Sequence, residues 1–401
     1  MTNAQLMKED LKHIFHPCSQ MKDYEKLPLI PIKKGKGSIL EDYDGNQYLD
    51  CISSWWVNLF GHSNDYINTK IMEQLQDLEH VIFAGFTHKP AIDLVKRLIA
   101  KTPEPLQKAF FADNGSSAIE IALKMSFQYF KNKGESRPLF VSLQNSYHGE
   151  TMGALAVSDT GLYKDIYEDI LIKTLHAASP GIVSEDEALE DMERVLKEHA
   201  GKVNSVVIEP LVQCAGSMKM YDATYITRLR SLCDKYGVFL IADEVAVGFG
   251  RTGTLFAIEQ ANISPDFLCI SKGITGGYMP LSMVLFTNDI YDAFYCDYDQ
   301  GKSFLDSHSY TGNAIACAVA NAVLDIFDNE NIIENNKEKI RLIKEQTQKF
   351  KTLKNVKEVR QRGMICAIEL QGYESNRRIN LEIFQEALKQ GVYIRPLGNV
   401  I

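Results

Sequence analysis

The feature that most constrains this chain is an alternation, between residues 137 and 271, of short apolar runs with stretches of helical period. RPLFVSL (137–143), SVVIEP (205–210), VFLIADE (238–244) and DFLCIS (266–271) are too short for buried helices and rich in β-branched and aromatic residues. They read as strands. Between them, SEDEALEDMERVLKEHA (184–200) opens on Ser184 with Glu187 placed to complete a capping box, and TYITRLRSLCDKYG (224–237) closes on glycine. A strand over 108–112 and helical periods over 64–80, 90–101 and 117–132 carry the pattern toward the N-terminus. Apolar strands joined by helices pack as a largely parallel sheet with helices on both faces, so the expected class is α/β.

The two ends of the chain read differently. Residues 28–50 look like short strands around turn signals at Gly35, Gly37 and Asp44-Gly45. Residues 312–352 are mostly helical, and MICAIEL (364–370), a helix over 378–390 and GVYIRP (391–396) suggest a separate α+β unit, with which the N-terminal hairpins would pack. The expected division is a large domain over 61–304, with a smaller domain built from 1–60 and 305–401.

Composition narrows the function. A net charge of −9 without any basic cluster argues against a nucleic-acid or membrane-surface partner. The eight cysteines are scattered with no C-x-x-C pair, so reduced thiols are expected and no metal site. The opening MTNAQLMKEDLKHIF lacks an apolar core, and no run reaches the ~18 apolar residues of a membrane span. These features read as a cytoplasmic protein.

GFGRTG (248–253) fits G-x-G-x-x-G, but its context contradicts a dinucleotide site. Such a site puts the first glycine at the strand-to-helix turn and an acid at the end of the next strand. Here Asp243-Glu244 hold the turn, and the next strand ends at a lysine, Lys272 in CISKGITGG. In an open α/β sheet, ligands sit beyond the carboxyl ends of the strands. A lysine and an acid at neighbouring strand ends suit pyridoxal phosphate, which needs an amine for a Schiff base and a carboxylate for its pyridinium nitrogen. Gly115-Ser116-Ser117, opening an apolar helix after strand 108–112, would supply a phosphate site. Each feature alone is commonplace: a turn residue, a solvated lysine, a helix cap. The combination carries the reading.

At these residues the chain resembles the fold-type-I, class III (ω-) aminotransferases. The resemblance runs from His13 to the end through HIFHPCSQM (13–21), CISSWWVNLFGH (51–62), NSYHGETMGALAVSD (145–159), VVIEPLVQCAG (206–216), IADEVAVGFGRTG (241–253), LCISKGITGG (268–277) and HSYTGNAIACA (308–318). Within the family it is most similar to the biotin-pathway branch. The resemblance implies a large domain with a mostly parallel seven-stranded sheet, a smaller α+β domain from both termini, and a homodimer with active sites at the interface. It implies transamination of 8-amino-7-oxononanoate, with S-adenosyl-L-methionine as amino donor and pyridoxal 5′-phosphate as cofactor.

Carried over residue by residue, it makes Lys272 the Schiff-base lysine and proton shuttle, and Asp243 the partner of the pyridinium nitrogen. Gly115 and Ser116 would bind phosphate, and Tyr147 would stack on the ring with His148 beside it. Ser309 would reach the partner subunit's phosphate, with Ser307 and His308 beside it. Trp55 and Trp56 would line an apolar substrate channel, Arg395 would pair with the substrate carboxylate, and Arg251 would assist near the mouth. On the residues alone, adjacent tryptophans read first as core packing, Arg395 equally as a surface charge, and Glu209 as a structural contact.

Three departures bear on the donor and the mouth. Cys18 stands where the family often has a substrate-recognising tyrosine. His308-Ser309-Tyr310 replaces the Pro-Thr-Phe common in adenosylmethionine users and also occurs in relatives thought to use lysine. After RPLGNVI, relatives continue with a Tyr-x-x-Pro-Pro-like segment and a final helix, which would cover Arg395. Lysine as donor, or another ω-aminotransferase acting on ornithine, 4-aminobutyrate or a diamine, are the alternatives.

Overall fold

Both faces of the central strands are apolar, and the chain buries both. In the strand Phe239–Asp243, Leu240 and Ala242 join one hydrophobic cluster while Ile241 joins another. In Phe267–Ile270 the alternation repeats, Leu268 and Ile270 on one side and Phe267 and Cys269 on the other. Successive side chains of a strand point to opposite faces, so two cores flank one sheet.

The computed structural model describes residues 1–27, 29–374 and 377–401. Near the N-terminus, β1 (Ile32–Lys36), β2 (Ile39–Asp42) and β3 (Gln47–Asp50) form an antiparallel meander. Then come β4 (Leu106–Ala112), β5 (Leu139–Leu143), β6 (Thr174–Ala177), β7 (Val203–Ile208), a short ribbon of β8 (Val212–Gln213) and β9 (Lys219–Met220), β10 (Phe239–Asp243), β11 (Phe267–Ile270) and β12 (Ser282–Thr287). A hairpin of β13 (Val356–Arg362) and β14 (Ile365–Leu370) and the short β15 (Val392–Tyr393) complete the strands.

The central sheet has seven strands in the order β4-β12-β11-β10-β7-β5-β6. All pairings are parallel except those of β12, which runs antiparallel to both β4 and β11. The expected mostly parallel α/β sheet is therefore present, with β12 and β6 added to the strands read from sequence. Every residue of β7 is buried. Its one amide, Asn204, is satisfied there: Nδ2 donates to the Arg137 carbonyl (3.0 Å), and Oδ1 accepts from Ser126 Oγ (3.1 Å).

Local signals behave as their chemistry dictates. Ser184 and Glu187 form the capping box of helix Glu185–Glu198. Gly237 ends helix Ala223–Tyr236 in the left-handed conformation. At the termini, β15 pairs in parallel with β3, Val392 opposite Leu49, so the first and last strands share a four-stranded sheet. The helix Ala314–Asn329 follows the expected 304/305 division, yet Ala316, Val319, Ala320 and Val323 pack into the same cluster as Ile274 and Leu281 of the large unit. Among the described residues, no helix is long and apolar enough to cross a membrane.

Candidate active site

The carboxyl ends of five parallel strands open onto one cavity of about 520 Å³. Gly115 and Ser116 follow β4, Tyr147 and His148 follow β5, Glu209 follows β7, Asp243 ends β10, and Lys272 lies two residues past β11. All seven line the cavity. The sheet register brings the two central groups together: Asp243 stands opposite Cys269 in the β10–β11 pairing, three residues before Lys272.

The floor is buried and tightly bonded. Asp243 Oδ2 lies 2.8 Å from His148 Nδ1, and Oδ1 accepts from the Val245 N–H at 3.1 Å. A carboxylate only accepts, which places the His148 ring proton on Nδ1. The other ring nitrogen, Nε2, is buried without a partner. Glu209, also buried, accepts from the backbone N–H groups of Tyr147 (3.0 Å) and Cys214 (2.9 Å) and so fixes the loop that presents Tyr147. Removal from water pushes its carboxyl up to about 7, against the nearby His148.

Lys272 adopts φ +47°, a left-handed conformation costing a non-glycine residue about 1–3 kcal/mol. Its Nζ lies 5.1 Å from the Trp56 ring centre. Loss of hydration lowers the amine's pKa, opposed by Cys214, Asp243 and Glu209. Beside it, helix Gly115–Asn132 points its N-terminus at the cavity. Asn114 caps the N–H of Ser117, so its side chain leaves the Gly115 and Ser116 N–H groups free for a ligand. A Cβ at position 115 would lie 2.7 Å from Val245 Cγ1, which is why glycine stands there.

The mouth is built differently. Ser53, Ser54, Trp55 and Trp56 all have positive φ (47° to 74°), a single left-handed turn that turns both indoles toward the cavity. Trp55 is 40% exposed, and the Arg395 guanidinium lies 4.4 Å from its ring centre. Arg395 also donates to the Cys18 carbonyl (3.4 Å). Glu150 accepts from Tyr147 Oη at 2.9 Å, with Cys18 Sγ 3.9 Å away. Tyr163 packs on Tyr147, ring centres 5.3 Å apart. Neither Glu150 nor Tyr163 stands out in sequence. Glu150 lies inside the NSYHGETMG motif, whereas nothing marks Tyr163.

Four of the expected residues do not line this cavity, and for three of them, Ser307, His308 and Ser309, the expected site is the partner's. Arg251 is absent from the lining; its Nη2 donates to the Asn58 carbonyl (3.4 Å), and burial lowers its pKa to about 10. Ser307 and Ser309 are exposed and do not line this chain's own cavity. His308 pairs through Nδ1 with Asp113 Oδ2 at 3.0 Å, and Asp113 does line it. The GFGRTG loop is a tight turn after β10, with Phe249 in the core and the Gly250 N–H bonded to Leu255 O at 3.1 Å.

An amine and an acid meeting at adjacent strand ends, beside a free helix N-terminus, define a site for a pyridine aldehyde phosphate. Comparison with known proteins agrees. The family model for aminotransferase class-III matches residues 20–401, and the chain belongs to that family. It is 49% identical to the adenosylmethionine-8-amino-7-oxononanoate aminotransferase of Helicobacter pylori, over 98% of this chain and 91% of the relative. The crystal structure of the enzyme of that name from Methanocaldococcus jannaschii superposes with a TM-score of 0.96 at 37% identity, covering 99% of this chain and 93% of that one. An amine transaminase from an uncultivated Pseudomonas species, solved in its PLP-bound form, superposes with a TM-score of 0.91 at 32% identity, over 97% of this chain and 93% of its own.

The residues present fit that cofactor. The free N–H groups at 115 and 116 suit a phosphate, the Asp243 carboxylate suits a ring N–H, and the lysine of lowered pKa suits an aldehyde carbon.

Proposed function

We propose that this enzyme transfers an amino group to 8-amino-7-oxononanoate, giving 7,8-diaminononanoate in biotin synthesis, with S-adenosyl-L-methionine as donor and pyridoxal 5′-phosphate as cofactor. The observation that carries the reading is the convergence of Lys272 and Asp243 on one cavity whose mouth holds Arg395 over Trp55. The substrate and donor rest on the names of the similar aminotransferases.

When bound, pyridoxal phosphate supplies a protonated pyridine ring that accepts the electron pair left as a Cα–H bond breaks. Lys272 would hold it through Nζ, Asp243 would accept the ring N–H, and Gly115 and Ser116 would donate to the phosphate. His148 positions Asp243, since its Nδ1–H fixes one carboxylate oxygen. Tyr147 would cover the ring, held by Glu209 through its backbone. The Lys272 amine would take the substrate's Cα proton, a role favoured by burial, which lowers its pKa toward the neutral form. Arg395 would bind the keto-acid carboxylate through its planar fork, with the indoles along the apolar chain. Glu150, exposed at the mouth, suits the cationic end of the donor.

A homodimer belongs to this reading. Ser307, His308 and Ser309 would complete the partner's phosphate site, which suits the exposure of both serines here. The domain division at 60 and 304 and a cytoplasmic location are part of the same proposal.

Single-turnover spectroscopy of the holoenzyme decides the donor. Adenosylmethionine should discharge the visible band, and 8-amino-7-oxononanoate should restore it. Discharge by lysine and not by adenosylmethionine would transfer the donor role to lysine. Discharge by ornithine, with no restoration by the keto acid, would favour a general ω-aminotransferase.

A further inference from the structure

A second cavity, of about 440 Å³, opens on the far side of the Gly248–Gly253 loop, between that loop, β13 and the C-terminal turns of helix Ile332–Thr347. Its polar lining includes Thr252, Gln260, Lys344, Lys351, Gln361 and Arg362, and no aspartate or glutamate lines it. Three cations, the exposed Lys344 and Lys351 and the half-buried Arg362, border this open cavity in a chain of net charge −9.

Two of those cations have no carboxylate partner among the described residues. The acids of the neighbouring helix are already engaged: Glu334 with Lys337 (2.6 Å), Glu338 with Arg341 (2.6 Å), and Glu345 also with Arg341. Among the described residues, neither Lys344 nor Lys351 pairs with a carboxylate. Arg362 uses Nη2 on Asp222 Oδ1 (2.8 Å) and on Tyr221 O (3.1 Å), while its Nε has no partner. Thr252 is 4% exposed, and its Oγ1 also has no partner. A cavity bordered by basic side chains, with no acid in its lining, holds a positive potential that suits an anion.

The cavity lies across a structural seam. Gly363 has φ +59°, and a Cβ there would stand 2.4 Å from the Arg251 carbonyl oxygen, so the β13–β14 turn and the loop touch backbone to backbone. The Met364 N–H donates to that same oxygen at 2.8 Å. A ligand joining Lys344, Lys351 and Arg362 would therefore tie the helix and the hairpin to the loop.

We propose that this cavity is a second binding site, distinct from the catalytic one, for a small oxyanion of the phosphate or carboxylate kind. A ligand that binds only the folded protein stabilises it by mass action.

The test uses the holoenzyme, whose cofactor fills the phosphate position at Gly115 and Ser116. Inorganic phosphate and citrate are titrated separately at constant ionic strength, followed by melting temperature and calorimetry. A saturable rise with either anion is expected, the tighter of the two naming the ligand class. Lys344→Gln combined with Lys351→Gln should weaken that anion by about tenfold or more while leaving turnover and the anion-free melting temperature unchanged. Arg395→Ala should not weaken it. The proposal fails if no saturable effect occurs, if the effect survives in the double lysine variant, or if Arg395→Ala removes it.

Discussion

The floor and the mouth of the catalytic cavity are made from opposite materials. The floor is a set of strand ends: Asp243, His148 and Glu209 are buried, bonded to backbone or to one another, and rooted in strands whose two faces are core. The mouth is a set of loop residues drawn from far apart in sequence: Cys18, Trp55, Glu150 and Arg395, all at least partly exposed. Loss of hydration shifts pKa values on the floor, Glu209 upward and Lys272 downward. At the mouth the interactions are contacts of a guanidinium with an indole and of a carboxylate with a phenol. The difference teaches a division of labour, chemistry where burial is enforced by the sheet and selection where side chains remain adaptable.

Substitutions should divide along that line. Lys272→Ala should cost the most, lowering turnover by at least about 10²–10⁴-fold and abolishing the visible absorption of the purified protein. A fully active, coloured variant would break the comparison at once. Asp243→Asn keeps the shape but removes the charge proposed to face the ring nitrogen, so kcat should fall by about 10²–10³-fold with little change in KM. A change in KM alone would move Asp243 out of the chemistry. Arg395→Ala, at the mouth, should raise KM for the keto acid by about 10–100-fold and leave the donor's KM as it was. Equal effects on both substrates would erase the distinction.

The smallest effect is on stability and lies behind the floor. Glu244 is buried, accepts from the N–H groups of Ala257 (2.9 Å) and Ile258 (2.7 Å), and burial pushes its carboxyl from 4.5 up to about 8. The folded chain therefore holds a proton that the unfolded chain has released, and stability falls as pH rises from about 4.5 through about 8. Glu244→Gln lacks this loss. Relative to the parent, its melting temperature should gain about 2–4 °C between pH 5 and pH 9. A parent and variant that track each other across that range would show that Glu244 ionises freely.

The same contrast explains what sequence could show. β5, β7, β10 and β11 were legible because a doubly buried strand is a short unbroken apolar run, and Asp243 and Lys272 because they punctuate two such runs. The antiparallel direction of β12 was not, since apolar composition carries no direction. The mouth is harder still. Nothing in Ser-Ser-Trp-Trp announces four positive φ values, for which glycine or asparagine would be the usual marker, and so the tryptophans read first as core. Tyr163, in the short helix Gly161–Lys164, reaches the cavity only because the chain after β5 returns over Tyr147. Arg251, one step from a legible motif, points instead to the Asn58 carbonyl behind the wall, because a flexible side chain's direction is set by packing rather than by neighbours in sequence.

The most direct measurement is chemical. The protein is incubated with pyridoxal phosphate, reduced with borohydride, digested and mapped by mass spectrometry. The modification is predicted on the peptide carrying Lys272, at one per chain, and absent from Lys272→Ala. Stoichiometric modification of another lysine, with Lys272 untouched, would contradict the assignment.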